Sequence, residues 1–289
     1  MSALVVGAMR ARSGVWVEGV RARSCVRDVN VFSAAIFIAA LLAPQPIAAA
    51  EPEQPQYGWR EVWGGVDATR DVWLLYSGIT LAPWSNDIYS DGWRLRTTGG
   101  FGRYSYKVQP KQTAGCGVQG TDQCPATKLP KRTDVTHTYV DALVGYQQRF
   151  GELTAKTFVG VAFVEHALSS PDSDNEVSGD DIGVKAMLEL WLNLGASAWT
   201  SLDLNYTTAH ETGAARWRAG WRVLPTVSIG PELRYDRNVE DDAGRAALFA
   251  RYDWFGGEAS IAAGIAGDMT GGVTNDLEPY ATFNLLYQY

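Results

Sequence analysis

The chain has 289 residues, of which 46% are hydrophobic and 20% charged, with a formal net charge of −7 and a mean hydropathy of −0.14. An acidic balance of this size offers no basic surface to a nucleic-acid backbone. After residue 50 no run of 18 apolar residues occurs, which excludes a membrane-spanning helix there.

The N-terminus predicts export. Arg10, Arg12, Arg21, Arg23 and Arg27 stand against Glu18 and Asp28, and the apolar run from Val31 to Ala43 follows. Pro44, Pro46 and Ala48-Ala49-Ala50 complete the pattern of a signal peptide over residues 1–50, cut after about Ala50. The run is too short for an anchor, which needs about 20 residues. Cleavage removes five arginines and two acids, so the net charge moves from −7 to −10. It also leaves Cys116 and Cys124, with seven residues between them, in a Gly/Lys/Pro/Thr-rich stretch. In an exported chain that spacing predicts a local disulfide. A metal pair lacks further ligands nearby, and no metal or cofactor is expected.

Residues 51–58 form a short Pro-rich lead-in, and residues 59–289 read as one domain. High apolar content without long apolar runs is what alternating strands produce, each lipid-facing side chain being followed by a polar one. Twelve alternating segments can be marked, at about 59–68, 71–83, 92–108, 134–150, 151–167, 181–194, 195–209, 212–223, 225–239, 243–254, 255–269 and 276–289. Most exceed the roughly 9–11 residues of a tilted spanning strand. The expected fold is all-β, an antiparallel transmembrane barrel of about twelve strands. Tight joins at Phe150-Gly151, Gly195-Ala196, Leu224-Pro225 and Phe255-Gly256-Gly257 alternate with longer ones at 109–133, 168–180 and 270–275. Short periplasmic turns and long outer loops give that asymmetry. The join at 84–91 is too long for its side, and those at 69–70 and 210–211 are too short.

The faces follow from a period of two. Trp217, Ala219, Trp221 and Val223 alternate with Arg216, Arg218, Gly220 and Arg222. Val227, Ile229, Leu233 and Tyr235 alternate with Ser228, Glu232, Arg234 and Asp236, and Leu248, Tyr252 and Trp254 with Arg245, Arg251 and Asp253. An Arg facing lipid at mid-depth costs about 2–4 kcal/mol, so the charges belong inside. Pro231 and the Gly99-Gly100-Phe101-Gly102 cluster predict bulges or bends. At the end of the chain Ala281, Phe283, Leu285, Tyr287 and Tyr289 alternate with Thr282, Asn284 and Gln288, and only Leu286 breaks the pattern. This closing strand looks like the C-terminal recognition signal read by the barrel assembly machinery of the bacterial outer membrane.

Candidate chemistry is sparse, and no catalytic residue is assigned. The three histidines are His137, His166 and His210. A lipid-hydrolysing barrel would set a Ser and a His together on its outer rim, and His166 precedes Ser169 and Ser170. The preferred reading is a rim histidine near the headgroups. The acidic run from Pro171 to Glu176 lacks the offsets of a calcium loop and reads as solvated surface. Trp217 and Trp221 belong to an interfacial girdle, whereas Trp73, Trp191 and Trp199 are harder to place. Trp191 shares its period-two face with Lys185, Glu189 and Asn193, so all four are expected in the lumen. A ring flanked by donors and acceptors is what a saccharide stacks on; the plainer reading is that the four fill and charge-balance the barrel.

Three segments carry a family resemblance: Glu61-Val62-Trp63-Gly64-Gly65-Val66-Asp67, then Tyr76-Ser77-Gly78 with Ala82-Pro83, then Asp91-Gly92-Trp93-Arg94-Leu95-Arg96 running into Gly99 to Tyr104. Val144-Gly145-Tyr146-Gln147, Glu189-Leu190-Trp191-Leu192-Asn193, Gly230-Pro231-Glu232 and Glu278-Pro279-Tyr280-Ala281 extend it. In order and number they resemble the cellulose biosynthesis protein BcsS family, exported barrels found alongside bacterial cellulose synthase operons. The resemblance spans roughly residues 59–289 and departs in the Gln109–Lys131 insertion. It implies a non-enzymatic outer-membrane accessory of cellulose (β-glucan) biosynthesis or export, with cellulose synthase components and β-glucan as partners beside outer-membrane lipids. It brings no catalytic residues. The alternatives are the lipid-hydrolysing enzyme and a generic small-solute pore.

Overall fold

The computed structural model describes residues 58–108, 131–172, 175–239, 242–268 and 277–289. The expected leader, nearly all of the lead-in and the Cys116–Cys124 pair lie outside them. Twelve strands run as β1 (Arg60–Ala68), β2 (Val72–Leu81), β3 (Gly92–Val108), β4 (Lys131–Phe150), β5 (Leu153–Leu168), β6 (Gly179–Leu194), β7 (Ala198–Thr207), β8 (Thr212–Leu224), β9 (Val227–Arg237), β10 (Asp242–Trp254), β11 (Gly257–Asp268) and β12 (Glu278–Gln288). Each pairs antiparallel with its sequence neighbours, and β12 closes on β1 to complete a barrel. Every strand boundary lies within three residues of the segment read from the alternation. Closure abolishes free sheet edges, so each backbone donor and acceptor in the wall can find a ladder partner.

The wall sorts its side chains by parity. Outside, Val161, Ile182, Leu248 and Ile261 are more than half exposed, as are Trp221 and Tyr252. Inside, Arg216, Arg218, Glu232, Arg234 and Arg245 are buried, on the same faces as half-buried Arg251 and Arg222. Trp73 belongs to the outer surface, 5.6 Å from Phe101, whereas Trp191 and Trp199 turn inward. Leu286, the exception in the closing strand, is an inward residue like Asn284 and Gln288. It joins Trp63, Leu74, Tyr76, Tyr139, Val164 and Ala209 in an apolar cluster inside the barrel.

Neither expected bulge forms. The β8–β9 ladder omits Ala219/Pro231 and Gly220/Gly230, yet Arg218↔Glu232 and Trp221↔Ile229 keep one register on either side, and Pro231 pairs with Leu248 of β10. The missing N–H of Pro231 therefore costs a rung and leaves the register intact. Through Gly99–Gly102, β3 pairs without a break with both β2 and β4. Those glycines serve packing instead. A Cβ on Gly100 would sit 2.3 Å from the Tyr139 ring, and one on Gly220 would sit 2.4 Å from the Trp199 ring. Small residues on the inner wall make room for large rings on the strand beside them.

The two ends differ. The described termini and the tight turns share one end, here the turn end; the longer connections share the other, the loop end. The over-long 82–91 connection lies at the turn end and packs against it. Ile88 N–H donates to the Gly58 carbonyl at 3.0 Å, and the Arg94 guanidinium and Gln147 amide donate to the Ile88 and Tyr89 carbonyls. The Tyr89 hydroxyl donates to the side chain of Gln288 at 2.9 Å. Arg94, Gln147 and Gln288 all face inward, so this segment lies over the turn-end mouth of the lumen. At the loop end the short 208–211 connection is a 3-10 turn, Ala209–Glu211, and Ala209 is fully buried.

Deleting Tyr287 to Tyr289 removes the Val62↔Tyr287 and Glu61↔Gln288 pairs and both backbone bonds between Arg60 and Tyr289. We expect that truncation to yield no heat-modifiable folded species by electrophoresis; normal migration would sink this account of closure.

Candidate functional site

The lumen is the candidate site, and ion pairs between strands run through it. Arg96 of β3 pairs with Glu189 of β6, with Lys156 of β5 4.0 Å from the same carboxylate. Lys185 of β6 pairs with Asp141 of β4 across the intervening strand β5. Arg234 of β9 reaches Asp67 of β1 at 3.0 Å, and Arg245 stands 3.9 Å from Asp67 and 3.4 Å from Asp236. Arg216 and Asp203, on adjacent strands, meet at 2.7 Å. Lys185 and Asp141 are only 1% and 2% exposed. Charges so deeply buried persist only with partners, because removing one leaves the other desolvated and unpaired.

Towards the turn end the lining becomes aromatic. Trp191 and Trp199 stack with ring centroids 4.2 Å apart, and Phe249 lies 5.4 Å from Trp199. The Arg251 guanidinium lies 4.7 Å from the Trp191 centroid and 5.3 Å from that of Trp199; Arg218 lies 5.6 Å from Trp199. Guanidinium groups at such distances from indole rings are attracted by the ring quadrupole. The Trp191 indole N–H donates to Asn193 Oδ1 at 3.3 Å, and Arg222 donates to the same oxygen at 2.9 Å.

The four residues singled out by periodicity thus share one inward face, but their surroundings differ. Lys185 and Glu189 are buried and held by ion pairs. Trp191 and Asn193 are half-buried at the turn end. Trp199, Phe249 and Arg251 complete the aromatic group. The alternation places Phe249 and Arg251 inside, but nothing in the sequence joins β10 to β6 and β7 across the lumen.

At the loop end the three histidines meet. His137 Nδ1 and His166 Nε2 are 3.1 Å apart, and Tyr104 Oη lies 3.0 Å from His166 Nδ1. The His210 ring sits edge-on to His166, with centroids 5.2 Å apart. His210 and Glu211 both take left-handed backbone, with φ of 48° and 49°. Such strain costs of order 1–3 kcal/mol per residue and persists only where the surroundings hold it. Here the Asp181 carboxylate accepts from the His210 backbone N–H at 2.8 Å. Burial holds the His210 imidazole below the ordinary histidine range, against the opposing pull of Asp181 and a hydrogen bond to the Gly179 backbone.

His166 therefore corrects the expectation of a rim residue. It lies on the inward parity of β5 with Phe158, Ala162 and Val164, and is 7% exposed. The Ser169 hydroxyl accepts from the Asp134 backbone N–H, and the Ser170 hydroxyl pairs with that of Thr133. The rim pairing of His166 with a serine does not form. Among the described residues, no three His, Cys, Asp or Glu side chains are placed to hold a metal ion.

The family model for cellulose biosynthesis protein BcsS matches residues 62–288. Comparison with curated proteins finds no match. Among solved structures, the chain is similar to the KdgM porin at 9% identity and TM-score 0.45, over 79% of this chain and 99% of that one. It is similar to the transport unit of the autotransporter AIDA-I from Escherichia coli at 12% identity and TM-score 0.44, over 89% and 97%. The Acinetobacter baumannii outer membrane protein Omp33 follows at 11% identity and TM-score 0.34, over 82% and 100%. Likenesses this distant carry nothing about function.

Glu189→Ala leaves Arg96 buried without its carboxylate, and we expect it to cost about 3–5 kcal/mol. Denaturant unfolding of detergent-folded protein measures this. The double variant Arg96→Met/Glu189→Leu should lose much less, and a single-variant loss below about 1 kcal/mol would refute the pairing as a strong constraint.

Proposed function

The chain belongs to the cellulose biosynthesis protein BcsS family, and from that premise we propose that it is a non-enzymatic outer-membrane accessory of bacterial cellulose biosynthesis or export. The family match carries the pathway. The apolar outer wall supports a place in a bilayer, and the alternation of tight turns with longer loops supports a periplasmic turn end and an outward loop end.

The ion pairs that cross the lumen bear on the role. A twelve-strand barrel is wide enough for a solute only where its inward side chains leave space. Here Arg96, Asp141, Lys185 and Glu189 are buried against one another. This favours a barrel that anchors or supports the export machinery over one that conducts the polymer in this conformation. The half-buried Trp191 and Asn193 face the turn end, where a glucan arriving through the periplasm would meet them. Trp191 stacked on Trp199 and flanked by Arg251 offers a ring face with donors and an acceptor beside it, and a β-glucan is the ligand that suits it. Lys185 and Glu189 support this surface from behind. Cellulose synthase components and β-glucan are its partners in this reading, and outer-membrane lipids its surroundings.

Surface cellulose in three strains tests the proposal: wild type, a full deletion, and Trp191→Ala with barrel assembly checked by heat-modifiable migration. Deletion should lower surface cellulose severalfold and Trp191→Ala should lower it in part. Unchanged cellulose in the deletion removes the function; unchanged cellulose in Trp191→Ala alone removes the contact surface and leaves the accessory role standing.

A further inference from the structure

Every histidine of this chain lies in one cluster at the loop end of the lumen, although they come from β4, β5 and the 208–211 connection. His137 is 1% exposed, and its Nε2, like that of His210, is buried without a hydrogen-bond partner. The connection that brings His210 there folds into the barrel instead of away from it. Its Ala209 packs in the inner cluster with Trp63, Tyr139 and Val164, and a Cβ on Gly183 would stand 2.2 Å from the Ala209 nitrogen. Two successive residues in left-handed backbone are held in this inward pose.

We propose that the histidine cluster is an acid-released latch that holds the 208–211 turn inside the loop end of the barrel. Proton counting supplies the mechanism. One hydrogen sits between His137 Nδ1 and His166 Nε2, and one between His166 Nδ1 and Tyr104 Oη. Adding a single proton is tolerated: His137 becomes the donor to His166, whose Nδ1 then donates to the Tyr104 oxygen. A second proton on the pair sets one N–H against another across 3.1 Å, and the rings must part. Protonation of His210 brings a further positive charge edge-on to His166.

The other groups facing the cluster do not absorb that charge. Tyr104, Tyr106 and Tyr139 are neutral phenols on β3 and β4. The Asp141 carboxylate is engaged by Lys185, whose ammonium stands 5.9 Å from the Tyr139 ring and adds to the repulsion. Asp181 is the nearest carboxylate on the β6 side. It accepts from the His210 backbone and opposes release at that ring, while Glu211 is the one acid of the turn itself. Burial lowers the proton affinity of the His210 imidazole in the latched turn below that of a free histidine, so the latched state is fully favoured above about pH 6.5 and loses that advantage as pH falls.

A nitroxide on Thr208→Cys, an exposed position, reads the turn directly by electron paramagnetic resonance, with Cys116 and Cys124 replaced by serine. We expect the label to be immobile at pH 7.5 and to become mobile by pH 4.5, and the triple variant His137→Gln, His166→Gln, His210→Gln to show no such pH response. If the triple variant does not assemble, His166→Gln alone, which removes the middle ring, carries the same expectation. A label whose mobility ignores pH overturns the latch, and so does a pH response that survives the glutamine substitutions. Loss of heat-modifiable migration over the same range also overturns it, because the change is then global.

Discussion

A closed wall in a bilayer admits charge on only one side, and the interior of this barrel follows from that constraint. Many of the arginines and lysines that the alternation turns inward leave water as well as lipid: Arg94, Arg96, Lys185 and Arg234 are all buried. Such a charge needs a counter-ion, as at Arg96 and Lys185, or carbonyl acceptors, as at Arg94. The result is a set of bridges, Arg96–Glu189, Lys185–Asp141 and Arg234–Asp67, each tying strands that are not neighbours. Ladder hydrogen bonds make the wall, and these bridges tie its opposite sides together.

Packing inside a barrel of this width is a matter of alternating bulk. Tyr139 needs the empty position at Gly100, Trp199 needs the one at Gly220, and Leu143 needs the one at Gly160. Glycines that look like points of weakness in a strand are here the spaces into which rings and a leucine fit. In the β3 cluster, Gly100 and Gly102 lack side chains where Tyr139 of β4 and Leu74 of β2 supply the bulk.

The two ends of the lumen are closed by different chemistry. At the turn end, the 82–91 segment is held by hydrogen bonds with the Arg94 guanidinium and the Gln147 and Gln288 amides. At the loop end, a strained turn is held among imidazoles and by the hydrogen bond from the His210 backbone to the Asp181 carboxylate. Inside the turn-end cover lie stacked indoles and arginines, and inside the loop-end turn lies the histidine cluster.

Strand number, strand limits and the facing of nearly every side chain were readable from the sequence, because a period of two is a local property and burial acts residue by residue. On that basis Lys185, Glu189, Trp191 and Asn193 could be put on one inner face, and the arginines of β8 to β10 inside. What the period cannot carry is distance across the lumen. Arg96 and Glu189 are 93 residues apart, Asp67 and Arg234 are 167 apart, and only closure of the ring makes them partners. The same holds for the histidines. His166 sits on the inward parity of its strand, yet its meeting with His137 depends on the β4–β5 register and its meeting with His210 on a turn that folds inward. Leu286 and Pro231 mark the same boundary from the other side: one broke a local pattern because the interior there is apolar, and the other kept its register because the neighbouring ladder carried it. Local alternation determined which way each side chain points; tertiary closure decided what it finds there.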